Sequence, residues 1–159
     1  MKNLKQIFMV LFFACTMVAS ATAQRRTIAI PEVVDRNECI SSAAKSMLRT
    51  ALANAVASHP GFAAYDRVDI DTILDEHMFQ QSGLVSEETM KELGKMTGAQ
   101  LILISEVEII GQNILVTGKI IDIETGQILS MKDQIMYNHV MGYKQGCKTL
   151  AENLLKPIR

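Results

Sequence analysis

The chain has 159 residues, 48% of them apolar, with 16 basic and 17 acidic side chains and a net charge of −1. So mild and mixed a charge sets aside nucleic acid and the anionic membrane surface as partners gripped by a basic protein. The apolar content is ample for one core, although aromatics are 5% and Trp is absent, so Met and Ala do much of the filling.

The first residues read as an export leader. Lys2 and Lys5 are followed by an apolar run from Ile7 to Ala19 and by Ala21-Thr22-Ala23, a small-x-small cleavage signal. The run is shorter than the ~20 apolar residues of a spanning helix. Cys15 is the alternative, a lipid attachment site, but Phe12 and Phe13 stand where a lipoprotein signal has Leu and a small residue. The expectation is a signal peptide over 1–23 and a periplasmic chain from Gln24. Outer-membrane association would come through a partner or through lipid at Cys15. The leader holds two lysines and no acid, so the mature chain has 136 residues, enough for one domain, and a net charge of −3. Its two cysteines, Cys39 and Cys147, are either a disulfide closing a loop of about 110 residues or two buried thiols. A bond requires Cα atoms within about 7 Å.

Thr27–Ile30 is a short strand candidate ended by Pro31, and Glu32–Glu38 reads as a polar connection. Asn37 is the expected cap of a helix whose apolar stripe is 40, 44, 47, 48, 51, 52, 55 and 56. His59-Pro60-Gly61 stops it, and Phe62–Tyr65 is a second strand. Strand, helix, strand predicts a parallel pair with a right-handed crossover. A second helix is expected from about Asp69 to Gln81, with acids favoured near its N-terminus by the dipole. A third is capped by Ser86, approaches the sheet through Gly94 and ends at Gly98 in a left-handed cap.

Leu101–Tyr137 then holds three β-branched runs, separated by Gly111-Gln112-Asn113 and by Glu124-Thr125-Gly126-Gln127. Gly111, Gly118 and Gly126 would interrupt a helical stripe, so this is a three-stranded antiparallel meander. Its first strand is apolar on both sides from Leu101 to Ile104 and alternates afterwards, predicting cover on two faces and then on one. In its third strand Leu129, Met131, Ile135 and Tyr137 form the apolar side, and Asp133 breaks it; an inward charge marks a sheet edge. The last helix is expected from about Gly142 to Leu155, with Tyr143, Cys147, Leu150, Ala151 and Leu154 inward and Pro157 ending it. The sum is an α/β (α+β) single domain: a mixed sheet of about five strands, a C-terminal meander, and helices covering both faces.

No catalytic motif emerges. His59, His77 and His139 lack zinc-ligand spacing and read as surface residues. Gly118-Lys119 lacks the rest of a phosphate loop, and no Gly-x-Ser-x-Gly elbow occurs. Asp122-Ile123-Glu124-Thr125-Gly126 is too short for a calcium loop and reads as a hairpin turn. Acids such as Asp66, Asp69 and Glu76 leave open a small exported ligand binder or hydrolase.

The order of motifs carries a resemblance. Asp66-Arg67, Ile73-Leu74-x-Glu76, Gln81-Ser82-Gly83, Leu93-Gly94-Lys95, Gly98-Ala99 and Asp122-x-x-Thr125-Gly126 fall in sequence between Thr27 and Leu155. Together they resemble the CsgG/LpoB-type envelope domain family. The resemblance implies a periplasmic α/β domain that works by binding envelope proteins, in secretion or peptidoglycan synthesis, with no enzyme activity, metal or cofactor. All three meander strands are needed for the sheet, leaving no extra hairpins for a membrane pore. The expected contact is Phe79, Gln80, Gln81 and Leu84, unless Phe79 packs against the third helix. The last strand is a second expectation, as a route to a homo-oligomer.

Overall fold

The computed structural model describes residues 25–65 and 94–158. Five strands, β1 (Arg26–Ala29), β2 (Phe62–Tyr65), β3 (Leu101–Ile110), β4 (Asn113–Asp122) and β5 (Ile128–Tyr137), form one sheet in the order β2-β1-β3-β4-β5. Two long helices, α1 (Ser42–Ala57) and α2 (Val140–Leu155), accompany it. β1 is parallel to β2 and to β3, whereas β3–β4 and β4–β5 are antiparallel. The predicted parallel pair, the meander and the single mixed-sheet domain are thus the observed architecture.

The connection after β1 is less polar than its composition suggests. Val33 and Val34 are buried on opposite sides of the sheet. Val34 takes over beside β3 where β1 ends: its N–H donates to the Ser105 carbonyl (2.8 Å) and its carbonyl accepts from the Val107 N–H (2.9 Å). Arg36 Nε donates to Glu106 Oε1 at 2.5 Å and ties the same segment down. Asn37 is not the helix cap. Asp35 organises this turn instead, accepting from the N–H groups of Cys39 (2.9 Å) and Ile40 (3.0 Å). Burial works to raise the Asp35 carboxyl, but those N–H groups outweigh it and hold it below its ordinary range. With the turn spent on Asp35, Ser41 is left to cap α1, its Oγ accepting from the Ala44 N–H at 3.2 Å.

One face of the sheet carries both long helices. Leu48, Leu52 and Val56 of α1 and Leu150 and Leu154 of α2 lie over Ile28, Leu103, Ile114, Val116 and Ile120, all fully buried. Each such side chain contributes roughly 1.5–3 kcal/mol by leaving water. Gly118 is what allows α2 this close: a Cβ there would sit 2.6 Å from Leu154 Cδ1. A smaller cluster, Ala29, Val34, Ala99, Ile102, Ile104 and Ile123, occupies the opposite face. There the helical turn at residues 94–97 comes down on Ile123, where a Cβ on Gly94 would meet Cγ2 at 2.8 Å. Gly98 caps that turn as expected, with φ +66° and its N–H bonded to the Gly94 carbonyl. The predicted helices over 69–81 and 86–93 lie outside the described residues.

The two hairpin turns explain their sequences. Ile110 pairs with Asn113 across a two-residue turn in which Gly111 has φ +61°. After β4, Asp122 Oδ1 accepts from the N–H groups of Glu124 (3.1 Å) and Thr125 (3.0 Å) and from Thr125 Oγ1 (3.1 Å), while Gly126 takes φ +69°. Of the two described histidines, His59 differs from expectation and His139 is at the surface as expected. His59 is buried, at 5.4 Å between ring centroids from Phe62. His139 caps α2, its Nδ1 accepting from the Gly142 N–H at 3.3 Å, so the helix begins at Val140.

The third meander strand is an edge, as expected, but its sides are exchanged. Ile121 pairs with Ile128, yet Ile120 pairs with Ser130, so Leu129 is an extra residue in a β-bulge. A shift of one residue moves every later side chain to the other face. Ser130 and Met136 therefore lie buried under α2, while Met131, Asp133, Ile135 and Tyr137 point away from it and are exposed. Asp133 is not an inward charge.

Candidate functional site

The register determines what the meander displays on the face away from the long helices. Ile110, Asn113 and Tyr137 make one cross-strand row, Glu108, Leu115 and Ile135 the next, and Glu106, Thr117 and Asp133 a third. Near Ala29 and Ile102 this face is covered, but toward the Gly111 turn it is open. Ile135 is 54% exposed, Tyr137 68% and Ile110 45%. Only Asn138 and His139 separate Tyr137 from α2, and the Tyr137 and His139 rings stack at 5.8 Å. The exposed Val140 and Met141 therefore join the same end of the molecule. Isolated exposed apolar residues are ordinary, but several gathered on one end with charges around them are the pattern of a protein-binding surface.

The edge of β5 adjoins this patch. β4 pairs with nine of its ten residues, all but Leu129, and no described strand pairs with the other side. Lys132 and Asp133 stand in the middle of that edge, a common guard against indiscriminate strand addition. What this arrangement offers is apolar area and backbone hydrogen-bonding groups. Among the described residues no three His, Cys, Asp or Glu side chains converge as a metal site would require.

The residues singled out in the sequence fare differently. Phe79, Gln80, Gln81 and Leu84, the acids Asp66, Asp69 and Glu76, and the leader with Cys15 lie outside the described residues. Cys39 and Cys147 are free thiols. Cys39 Sγ lies 4.0 Å from the Val107 carbonyl, and Cys147 Sγ lies 3.8 Å from the Leu48 carbonyl in the core between α1 and α2. Burial pushes the Cys147 thiol up to about 12, and burial, then the Asp35 carboxylate, raises Cys39. The open-face residues were missed because an alternating strand reads as apolar-side-in. The signal against it was in β4, where Ile114, Val116, Gly118 and Ile120 already form a helix-facing side that leaves room for α2.

The Asp122 turn, the Gly98 cap and the Gly94 contact give those three motifs of the family resemblance structural roles: they hold turns and a close approach. Comparison with known proteins agrees with the fold. No curated protein sequence matches. Among solved structures, the C-terminal domain of LpoB from Salmonella enterica aligns with a TM-score of 0.55 and 15% identity, covering 78% of this chain and 91% of that one. A PelC dodecamer from Paraburkholderia phytofirmans aligns with a TM-score of 0.54 and 14% identity over 85% of this chain and 90% of that one. Lipoprotein GNA1162 from Neisseria meningitidis gives 0.53 and 10% over 70% and 79%. At these identities the likeness is one of fold. Residues 18–127 match the family described as curli production assembly/transport component CsgG. That span takes in β1 through β4 and the Asp122 turn and exceeds half of the sequence, and on it the chain belongs to the CsgG family.

Proposed function

We propose that this protein is a non-enzymatic periplasmic interaction domain that assists or regulates a cell-envelope assembly, of the secretion or peptidoglycan-synthesis kind. The observation that carries the reading is the open end of the sheet, where Ile110, Ile135, Tyr137, Val140 and Met141 are exposed together. Membership of an assembly/transport family and a fold shared with LpoB and PelC support it. The partner is an envelope protein that covers this apolar end and is framed by Glu108 and Asp133. A second reading has one specific observation in its favour: the long free edge of β5 suits a second copy of the chain, and the PelC neighbour is a dodecamer.

The test is a photocrosslinking residue at Ile135, activated in intact envelopes. The expected result is one defined envelope protein bonded to the chain, lost when Tyr137→Ser is added. Adducts between copies alone would transfer the surface to the homo-oligomer. No adduct, with the protein correctly exported, would remove the reading.

A further inference from the structure

A second surface lies on the other side of the sheet, on the outer side of the helix layer. α1 and α2 run side by side and leave between them a groove of about 1180 Å³. Its two walls differ in chemistry. α1 and its C-cap present Ser46, Thr50, Asn54 and Ser58 at four-residue steps, flanked by the half-exposed Met47 and by Ala51 and Ala55: uncharged and mostly short side chains that leave an open trough. α2 presents Lys144, Lys148, Glu152 and Lys156, also at four-residue steps and all exposed. Among the described residues none of these three lysines is in an ion pair.

The spacing restricts the ligand. Lys144 and Lys156 are twelve residues apart on the helix and its short continuation, about 18 Å at 1.5 Å per residue. They do not converge on one point, so a single phosphate or carboxylate cannot engage them together. The ligand is elongated. The apolar floor at Met47 and Ala51, with exposed Val140 at the groove's end, gives no contact to a uniformly charged polymer. Glu152 between Lys148 and Lys156 repels one. Both features suit an amphipathic segment. We infer that the α1–α2 groove receives a partner's helix of about four turns, whose apolar stripe lies on Met47 and Ala51 and whose carboxylates, at four-residue spacing, face Lys144 and Lys148. Apart from Val140, which borders both, this surface shares no residue with the open sheet end, and the inference does not depend on the function proposed for that end.

The probe is a synthetic 16-residue helix-forming peptide with a leucine–alanine stripe and Glu at four-residue spacing. Its counterpart carries Lys for Glu, and polyglutamate and phosphatidylglycerol vesicles serve as controls. Binding is read by fluorescence anisotropy on the exported chain. The acidic peptide should bind saturably at one site, at least tenfold more weakly to Lys144→Glu/Lys148→Glu, and no differently to Ile135→Ser. Thr50→Trp, which fills the trough without altering charge, should also abolish binding. All these positions are exposed, and an unchanged melting temperature checks each variant. Several results would overturn the inference: no saturation, equal binding of the Lys counterpart, or an unaltered affinity in Thr50→Trp. Tighter binding of polyglutamate or vesicles than of the peptide would reassign the groove to polyanions or lipid and overturn it equally. Loss of binding in Ile135→Ser would place the peptide on the open sheet end instead.

Discussion

The two sides of β4 and β5 are built from similar residues and live in different environments. On the helix side, Ile114, Val116, Ile120 and Met136 are sealed beneath α2. On the other side, Leu115 is half-buried and Ile135 and Tyr137 stand in solvent. Hydrophobicity alone does not separate them. What separates them is which side offers room for a helix, through Gly118, and which phase the strand adopts after the bulge at Leu129. The first set specifies the fold, and the second is free to specify a partner.

The sharpest way to break this contrast is to insert one alanine between Ser130 and Met131. A β5 displaced by one residue would place Met131 opposite Gly118 and Asp133 opposite Val116, turning both toward α2 and burying an unpaired carboxylate. We expect a loss of about 3 kcal/mol or more, seen as a lowered or non-cooperative thermal transition. An unchanged transition would mean that β5 absorbs the insertion in a wider bulge and that its phase is not fixed by what α2 covers. Leu150→Ala, on the covered side, should cost about 2–5 kcal/mol in urea unfolding. A cost under ~1 kcal/mol would show that the interface of α2 with the sheet is loose. Gly118→Ala should cost about 1–3 kcal/mol by forcing Leu154 aside.

Cys147 gives a subtler probe of the same interface. The unfolded thiol ionises near its ordinary value of 9.0, whereas the folded one stays neutral up to about 12. Unfolding therefore releases a proton in that window, and this residue's contribution, fully present below pH 9, declines as pH rises toward 12. Parent and Cys147→Ala should differ in the slope of stability against pH above 9 and not below it. In native protein, a thiol reagent should label Cys39 first and Cys147 only on unfolding; simultaneous labelling would show that α1 and α2 separate readily. The smallest effect is expected on the open side, where Ile135→Ser should change stability by no more than about 0.5 kcal/mol. A larger loss would make that residue part of the core.

Much of the fold was legible in the residues themselves. Glycines at 111 and 126, with β-branched runs between, marked the meander, and three-and-four spacing marked α1 and α2. Gly94 and Gly98 announced a close approach and a cap. Illegible were choices made by hydrogen-bond competition and register. Asp35 displaced Asn37 as organiser of the turn before α1, because a carboxylate placed under two N–H groups is the stronger acceptor. The bulge at Leu129 left no compositional trace, so an alternating strand was read with its sides exchanged. The open patch followed from that exchange and was hidden with it.

The direction of β1 has a spatial consequence. It runs parallel to β3, with Ile28 beside Leu101, so Arg26 lies near the start of β3. Ile110 lies at the other end of that ten-residue strand, about 33 Å away at ~3.3 Å per residue. Arg25 therefore lies at one pole of the described domain, and the exposed apolar end lies at the other. A tether on that side would hold the domain like a lamp on a stalk, with the exposed Ile110, Ile135 and Tyr137 turned away from whatever the tether is fixed to.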